Sequence, residues 1–305
     1  MDILIFTISM AALVYGADFI IEQSEKIALH YKISPFVIGA TLVALGTSLP
    51  EMAVSMSASL KGSGDIAVAN VIGSTIFNIA LVLGTVFIIA KKITPDRDLF
   101  AQDSAWALFP ILVFILMGID GKLNAVDGVL FLILMAAYLM FLIKSNQVEE
   151  IDEELAKDKF NWAKTAPFLL AGFVLTIGGA DFAIDSAGNI ARDFGVSEWV
   201  IGLFLVAFGT SLPELTISIK AALNNNADLA IGNIIGSNVA NFTMVLGVAS
   251  IVNALNVNLI ENIFDISAAL ILSLMLVFIT ANKLYNKSAG IVLLVVLGLV
   301  IQNSI

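Results

Sequence analysis

Slid along itself by 163 residues, the chain matches its own second half without a gap, and this duplication limits its possible folds more than any other feature. Gly16-Ala17-Asp18-Phe19 falls on Gly179-Ala180-Asp181-Phe182, and Val37-Ile38-Gly39 falls on Val200-Ile201-Gly202. Gly46-Thr47-Ser48-Leu49-Pro50-Glu51 falls on Gly209-Thr210-Ser211-Leu212-Pro213-Glu214. Asn70, Gly73, Ser74 and Asn78 fall on Asn233, Gly236, Ser237 and Asn241. From Gly16 to Gly84 roughly half the positions are identical. Shared hydrophobicity alone would not hold a Thr-Ser-Leu-Pro-Glu string in register.

The repeated unit belongs in lipid. Hydrophobic residues make up 59% of the chain and charged ones 13%, against about a quarter charged in a soluble domain. Apolar runs near the roughly 20 residues needed to cross a bilayer recur along the whole length. We count about ten, and the 163-residue offset contains five of them. An odd number of spans sets the two copies in opposite orientation, an arrangement typical of secondary transporters with a site near the midplane. The expectation is an all-α polytopic membrane protein of about ten transmembrane helices, built as two inverted five-helix repeats over residues 1–145 and 163–305. An acidic linker, 146–162, joins them and carries Glu149, Glu150, Asp152, Glu153 and Glu154. The first span reads as part of the fold and not as a signal peptide, because Asp2 replaces a basic start and the segment recurs mid-chain. With the N-terminus outside, only Lys61, Lys122 and Arg192 of the 15 Lys and Arg lie outside, which predicts external termini and a cytoplasmic linker in a cell membrane.

Several function classes fall away. The net charge of −10 argues against nucleic acid. The chain has no cysteine, so disulfides and thiolate metal sites are absent. His30 is the one histidine and no HExxH occurs, which removes histidine-based catalysis; we expect no enzyme and no cofactor. Membrane lipid is the expected surrounding, nothing names a protein partner, and a monomer is the working expectation.

What remains is polar chemistry inside apolar spans. A carboxylate at membrane depth costs several kcal/mol or more and marks an ion pathway or a partner. Glu51 and Glu214 are such carboxylates, and no Lys or Arg is placed in their spans to neutralise them. Thr47 and Ser48 precede Glu51 at helical spacings of four and three, and Ser74 and Asn78 sit four apart on the next span. Thr210, Ser211, Glu214, Ser237 and Asn241 repeat the pattern. Pro50 and Pro213 cannot donate to the carbonyls near Gly46 and Gly209, so each helix should break there. Carboxylates, hydroxyls and freed carbonyls are oxygen ligands, the set that Ca²⁺ and similar hard cations take.

The paired segments GATLVALGTSLPE with ANVIGSTIFN, and GLFLVAFGTSLPE with GNIIGSNVAN, resemble the alpha-repeats of the Ca²⁺/cation antiporter superfamily, and most closely its prokaryotic sodium/calcium exchangers. The resemblance implies that Glu51 and Glu214 bind Ca²⁺ through carboxylates, and Thr47 and Thr210 through backbone carbonyls. It implies flanking Na⁺ sites that use Ala44, Ser48 and Ser74 with Glu51, and Ala207, Ser211 and Ser237 with Glu214. Asn78 and Asn241 complete the polar centre. Potassium-dependent members, and some prokaryotic exchangers, carry Asp where this chain has Asn241, so the amide argues against dependence on K⁺. It also implies three Na⁺ per Ca²⁺ and electrogenic exchange. The alternative is a proton-coupled exchanger of Ca²⁺ or another divalent cation; a passive channel is a third reading.

Other residues have plainer readings. Ser55, Ser57 and Ser218 are expected to pack helices, as are Gly39, Gly73, Gly202 and Gly236. Asp18 and Asp181 are expected near span ends, and His30 in a solvated loop.

Overall fold

The computed structural model describes residues 2–90, 95, 98–99, 103–145, 160–193 and 207–304. Most of the acidic linker and the segment holding Val200, Ile201 and Gly202 lie outside the described residues.

The described residues are all-α apart from one two-residue antiparallel pair, β1 (Lys122–Leu123) with β2 (Leu255–Asn256). Helix α1 spans Asp2–Tyr31. Helix α2, Pro35–Thr47, starts on Ser34, whose side chain caps Val37 N, with Pro35 at a position where a missing N–H costs nothing. Helix α3, Leu49–Leu60, follows at a 43° bend. Then come α4 (Gly64–Ile89), α5 (Ser104–Met117) and α6 (Ala125–Lys144); α6 opens with a reciprocal cap between Asn124 and Asp127. The second half contributes α7 (Trp162–Asp193), α8 (Ala207–Thr210), α9 (Leu212–Leu223), α10 (Ala227–Val252), α11 (Ile263–Ala281) and α12 (Lys287–Ser304).

Six of the described helices are long and apolar enough to cross a bilayer: α1, α4, α6, α7, α10 and α11. The bent pair α2–α3 forms one more broken span, and α5 and α12 are shorter apolar helices. Leu, Ile and Val face outward along most of them, so the molecule is a polytopic all-α membrane protein.

Helices α4 and α10 form the centre. In the apolar windows of α10 and α4, 83% and 67% of residues are buried, against 28% in those of α1, α6 and α7. Glycine lets the centre close. A Cβ on Gly39 of α2 would stand 2.5 Å from the Leu229 carbonyl, and one on Gly236 of α10 would meet the Ala40 backbone. The backbones of the first and second halves therefore touch directly, as small residues allow in membrane helices. Helix α1 packs antiparallel on α7, with Gly16 against Gly172 and Thr176, and Gly179 against Ser9 and Leu13.

Asp181 lies near the end of the apolar span Trp162–Ala183, as expected, although α7 continues to Asp193, whereas Asp18 sits in the middle of α1 and not near a span end. His30 is likewise not in a loop. It lies in the last turn of α1 and stacks on Phe160 at 4.2 Å.

Candidate cation site

The broken helices position the site. Ser48 and Ser211 interrupt their helices with nearly the same backbone, φ −82° and ψ 6° for one and φ −89° and ψ 2° for the other. Pro50 and Pro213 follow as the second residues of α3 and α9, where their rings suit a helix start. Each proline also leaves the carbonyl four residues earlier without its usual donor. Wider π-helical turns occur at Gly39–Val43 in α2, Phe77–Leu83 in α4 and Asn241–Val245 in α10. Such turns gather at functional positions. Two of them hold Asn78 and Asn241, which are 163 residues apart.

Glu51 and Glu214 open α3 and α9 and are fully buried. Ser74 Oγ donates to Glu51 Oε1 at 3.4 Å, and Ser237 Oγ donates to Glu214 Oε1 at 3.5 Å. Ser48 Oγ also donates to Glu214 Oε1, at 3.5 Å. Helical spacing pairs Ser48 with Glu51; the break at Ser48 instead turns its hydroxyl to the carboxylate of the other half. All three contacts are at the long end for a hydroxyl donor. The second oxygens, Glu51 Oε2 and Glu214 Oε2, are buried without a hydrogen-bond partner, as are Thr210 Oγ1 and Ser211 Oγ.

Thr47 bridges the halves, donating to Asn233 Oδ1 at 3.3 Å with Ser237 Oγ at 3.4 Å. Its hydroxyl also reaches the Ala44 carbonyl at 3.2 Å, which accepts from Ser48 N at 3.0 Å as well. Ala207 lies in α8, one turn before the Ser211 break. Asn78 Nδ2 donates to Asn238 Oδ1 at 3.0 Å, while both polar atoms of Asn241 are buried without partners. The twelve residues singled out from the sequence thus lie on α2, α3, α4, α8, α9 and α10 around the two breaks.

Three supporting residues were not among them. Asn70 donates to Ser55 Oγ at 3.0 Å and to the Glu51 carbonyl at 3.2 Å, which fixes the start of α3. Asn233 donates to Ser218 Oγ at 3.0 Å, the same tie in the second half. Their repetition was the available signal. Asn238 stands where the first half has Thr75, so repeat symmetry gave no sign of it.

No basic side chain among the described residues offsets the two carboxylates, and none of those residues forms a group of three or more His, Cys, Asp and Glu. Buried ionised carboxylates need a counter-charge. Two carboxylates framed by neutral hydroxyl and amide oxygens can supply one divalent cation or two monovalent ones with full compensation.

A polytopic helical fold that holds such a pair at paired helix breaks defines a membrane transporter of cations. The chain belongs to the sodium/calcium exchanger family, whose description, sodium/calcium exchanger protein, matches residues 1–144 and 164–304. The resemblance drawn from the repeated motifs is therefore borne out. A membrane protein of Methanocaldococcus jannaschii is 38% identical, with 95% of this chain and 93% of the relative covered. The sodium/calcium exchanger MaX1 of Methanosarcina acetivorans is 29% identical, with 96% and 95% covered. Among solved structures, the sodium-calcium exchanger NCX_Mj superposes with a TM-score of 0.87 at 37% identity, covering 99% of this chain and 98% of its own.

Proposed function

We propose that this chain exchanges Na⁺ for Ca²⁺ by alternating access, with three Na⁺ per Ca²⁺ and net charge movement. The observation that carries the reading is the pair of fully buried carboxylates, Glu51 and Glu214, one from each half, without a basic partner among the described residues. Ca²⁺ takes the carboxylates with the Thr47 and Thr210 carbonyls. Na⁺ takes flanking positions, one at Ala44, Ser48, Ser74 and Glu51, the other at Ala207, Ser211, Ser237 and Glu214. Asn78 and Asn241 complete the centre, and the amide at Asn241 makes exchange independent of K⁺. Because the two loads share oxygens, the pocket cannot hold both, and this competition couples the fluxes.

The same reading makes the chain two inverted five-helix repeats with ten spans, both termini outside and the linker inside. The antiparallel packing of α1 on α7 supports the inversion, since Gly16 and Gly179 are equivalent positions on those two helices. The test is ⁴⁵Ca²⁺ uptake into proteoliposomes under an outward Na⁺ gradient, beside matched K⁺ and pH gradients. Uptake driven by Na⁺ alone is the expected result. Uptake driven by the pH gradient and indifferent to Na⁺ would replace it with proton coupling.

A further inference from the structure

Equivalent positions in the two halves differ sharply in their surroundings. A cavity of about 690 Å³ is lined by Leu49, Pro50, Val54, Ser57 and Lys61 of the first half together with Asp181 and Thr210 of the second. Its lining includes Thr210, one of the candidate ligands, and Pro50, which are next in sequence to Ser211 and Glu51, so the cavity borders the candidate cation site. The repeat-related positions among the described residues are packed. Leu49 is 42% exposed, whereas Leu212 is 9% exposed and packs on Leu13, Ala180 and Ala183. Ile66 is 53% exposed, whereas Leu229 is fully buried. Helix α1 packs along α9, while α7 has no comparable contact with α3 among the described residues.

The packed side also carries polar ties with no counterpart among the described residues. Lys220 Nζ of α9 pairs with Asp18 Oδ1 of α1 at 2.9 Å, both side chains being partly shielded. Asn226 Nδ2 donates to Glu25 Oε1 of α1 at 3.0 Å. At the equivalent positions of the open side, Ser57 stands in place of Lys220 and Gly188 in place of Glu25, and Ser57 and Asp181 both line the cavity. The repeat keeps the aspartate but has serine where the lysine stands, so among the described residues this ion pair forms on one side only.

We propose that the Asp18–Lys220 ion pair is a latch that holds α1 against α9 and shuts the second route to the cation site, and that it separates when the protein exposes the site to the other face. This rests on the alternating-access reading above. The cysteine-free chain allows a test that needs no transport. Single cysteines at the matched positions, Leu49→Cys and Leu212→Cys, are labelled in oriented vesicles with a membrane-impermeant maleimide applied to either face. With the pair intact, the cysteine at 49 reacts from the face that bears Lys61, and the one at 212 is protected. Lys220→Ser, which copies the residue at position 57, should raise labelling at 212 about fivefold and from the opposite face, as loss of a partly shielded ion pair shifts a two-state balance. It should lower labelling at 49. Asp18→Asn should do the same, and the exchanged pair Asp18→Lys with Lys220→Asp should restore protection. Unchanged labelling at 212 in both single variants, each still monodisperse on size exclusion, would overturn the latch. Absence of Na⁺-driven Ca²⁺ flux with the labelling shifts intact would overturn the exchanger reading instead.

Discussion

At the scale of the residue, charge balance decides what the site can hold. Glu51 and Glu214 are buried without a basic partner among the described residues, and each offers one oxygen that no protein donor occupies. Replacing either by Gln removes half of the negative charge available to a divalent cation in a medium of low dielectric. Glu51→Gln and Glu214→Gln should each lower Na⁺-driven ⁴⁵Ca²⁺ uptake to background while leaving the protein monodisperse; flux near that of the parent would refute the central site. The hydroxyls make weaker, longer contacts, Ser74 with Glu51, and Ser48 and Ser237 with Glu214. Ser48→Ala and Ser211→Ala should therefore weaken the Na⁺ dependence of exchange more than the apparent Ca²⁺ affinity, read from titrations of uptake against each ion. Asn241 lies in the same buried cluster with both amide atoms unpartnered. Asn241→Asp adds a third carboxylate, which must take up a proton or a further cation. Its uptake should depend on pH across the neutral range, and overlapping pH profiles for parent and variant would remove Asn241 from the pocket.

At the scale of the element, the site depends on helices that approach closer than side chains permit. Gly236 is in contact with the Ala40 backbone, and α2 and α10 meet there about two helix turns before the break at Ser48. An added methyl has no flexible neighbour to displace, so the helices must part. Gly236→Ala should cost about 1–3 kcal/mol, typical of overpacking, and lower the unfolding temperature in detergent. Gly298→Ala on α12 has nothing within 4 Å to strike and should leave it unchanged. Equal stability of the two variants would show that the α2–α10 contact is slack. The helix breaks are separate from this packing. They follow from Pro50 and Pro213, which begin new helices at the residues after Ser48 and Ser211.

At the scale of the whole molecule, the reading with three Na⁺ per Ca²⁺ moves one net charge per cycle. One charge across 100 mV is worth about 2.3 kcal/mol, or about 50-fold in the Ca²⁺ ratio at equilibrium. In Na⁺-loaded proteoliposomes, an inside-positive potential set by valinomycin and an inward K⁺ gradient should accelerate Ca²⁺ uptake, and an inside-negative one should slow it. Uptake indifferent to potential would make exchange electroneutral. The one-sided cavity belongs to the same scale. On the alternating-access reading, two homologous halves cannot both be open to water if transport is to stay coupled, and the difference between Leu49 and Leu212 fits that rule.

The sequence by itself determined the membrane fold and marked the residues of the candidate site. Apolar runs have no other stable solvent, and a Gly-Thr-Ser-Leu-Pro-Glu string repeated in register carries its own helix break and its own carboxylate. Local chemistry written in consecutive residues is legible because it needs no knowledge of distant partners. Tertiary structure alone decided who faces whom. Ser48 turns to Glu214 and not to Glu51, Thr47 reaches Asn233, and Asn78 pairs with Asn238, which no periodicity marks. Asp18 and Asp181 look equivalent in sequence, yet one is paired with Lys220 and the other lines an open cavity. The repeat fixes what each half contains, but the free energy of packing one half against the other selects a single asymmetric arrangement, and that energy is a property of contacts more than 160 residues apart.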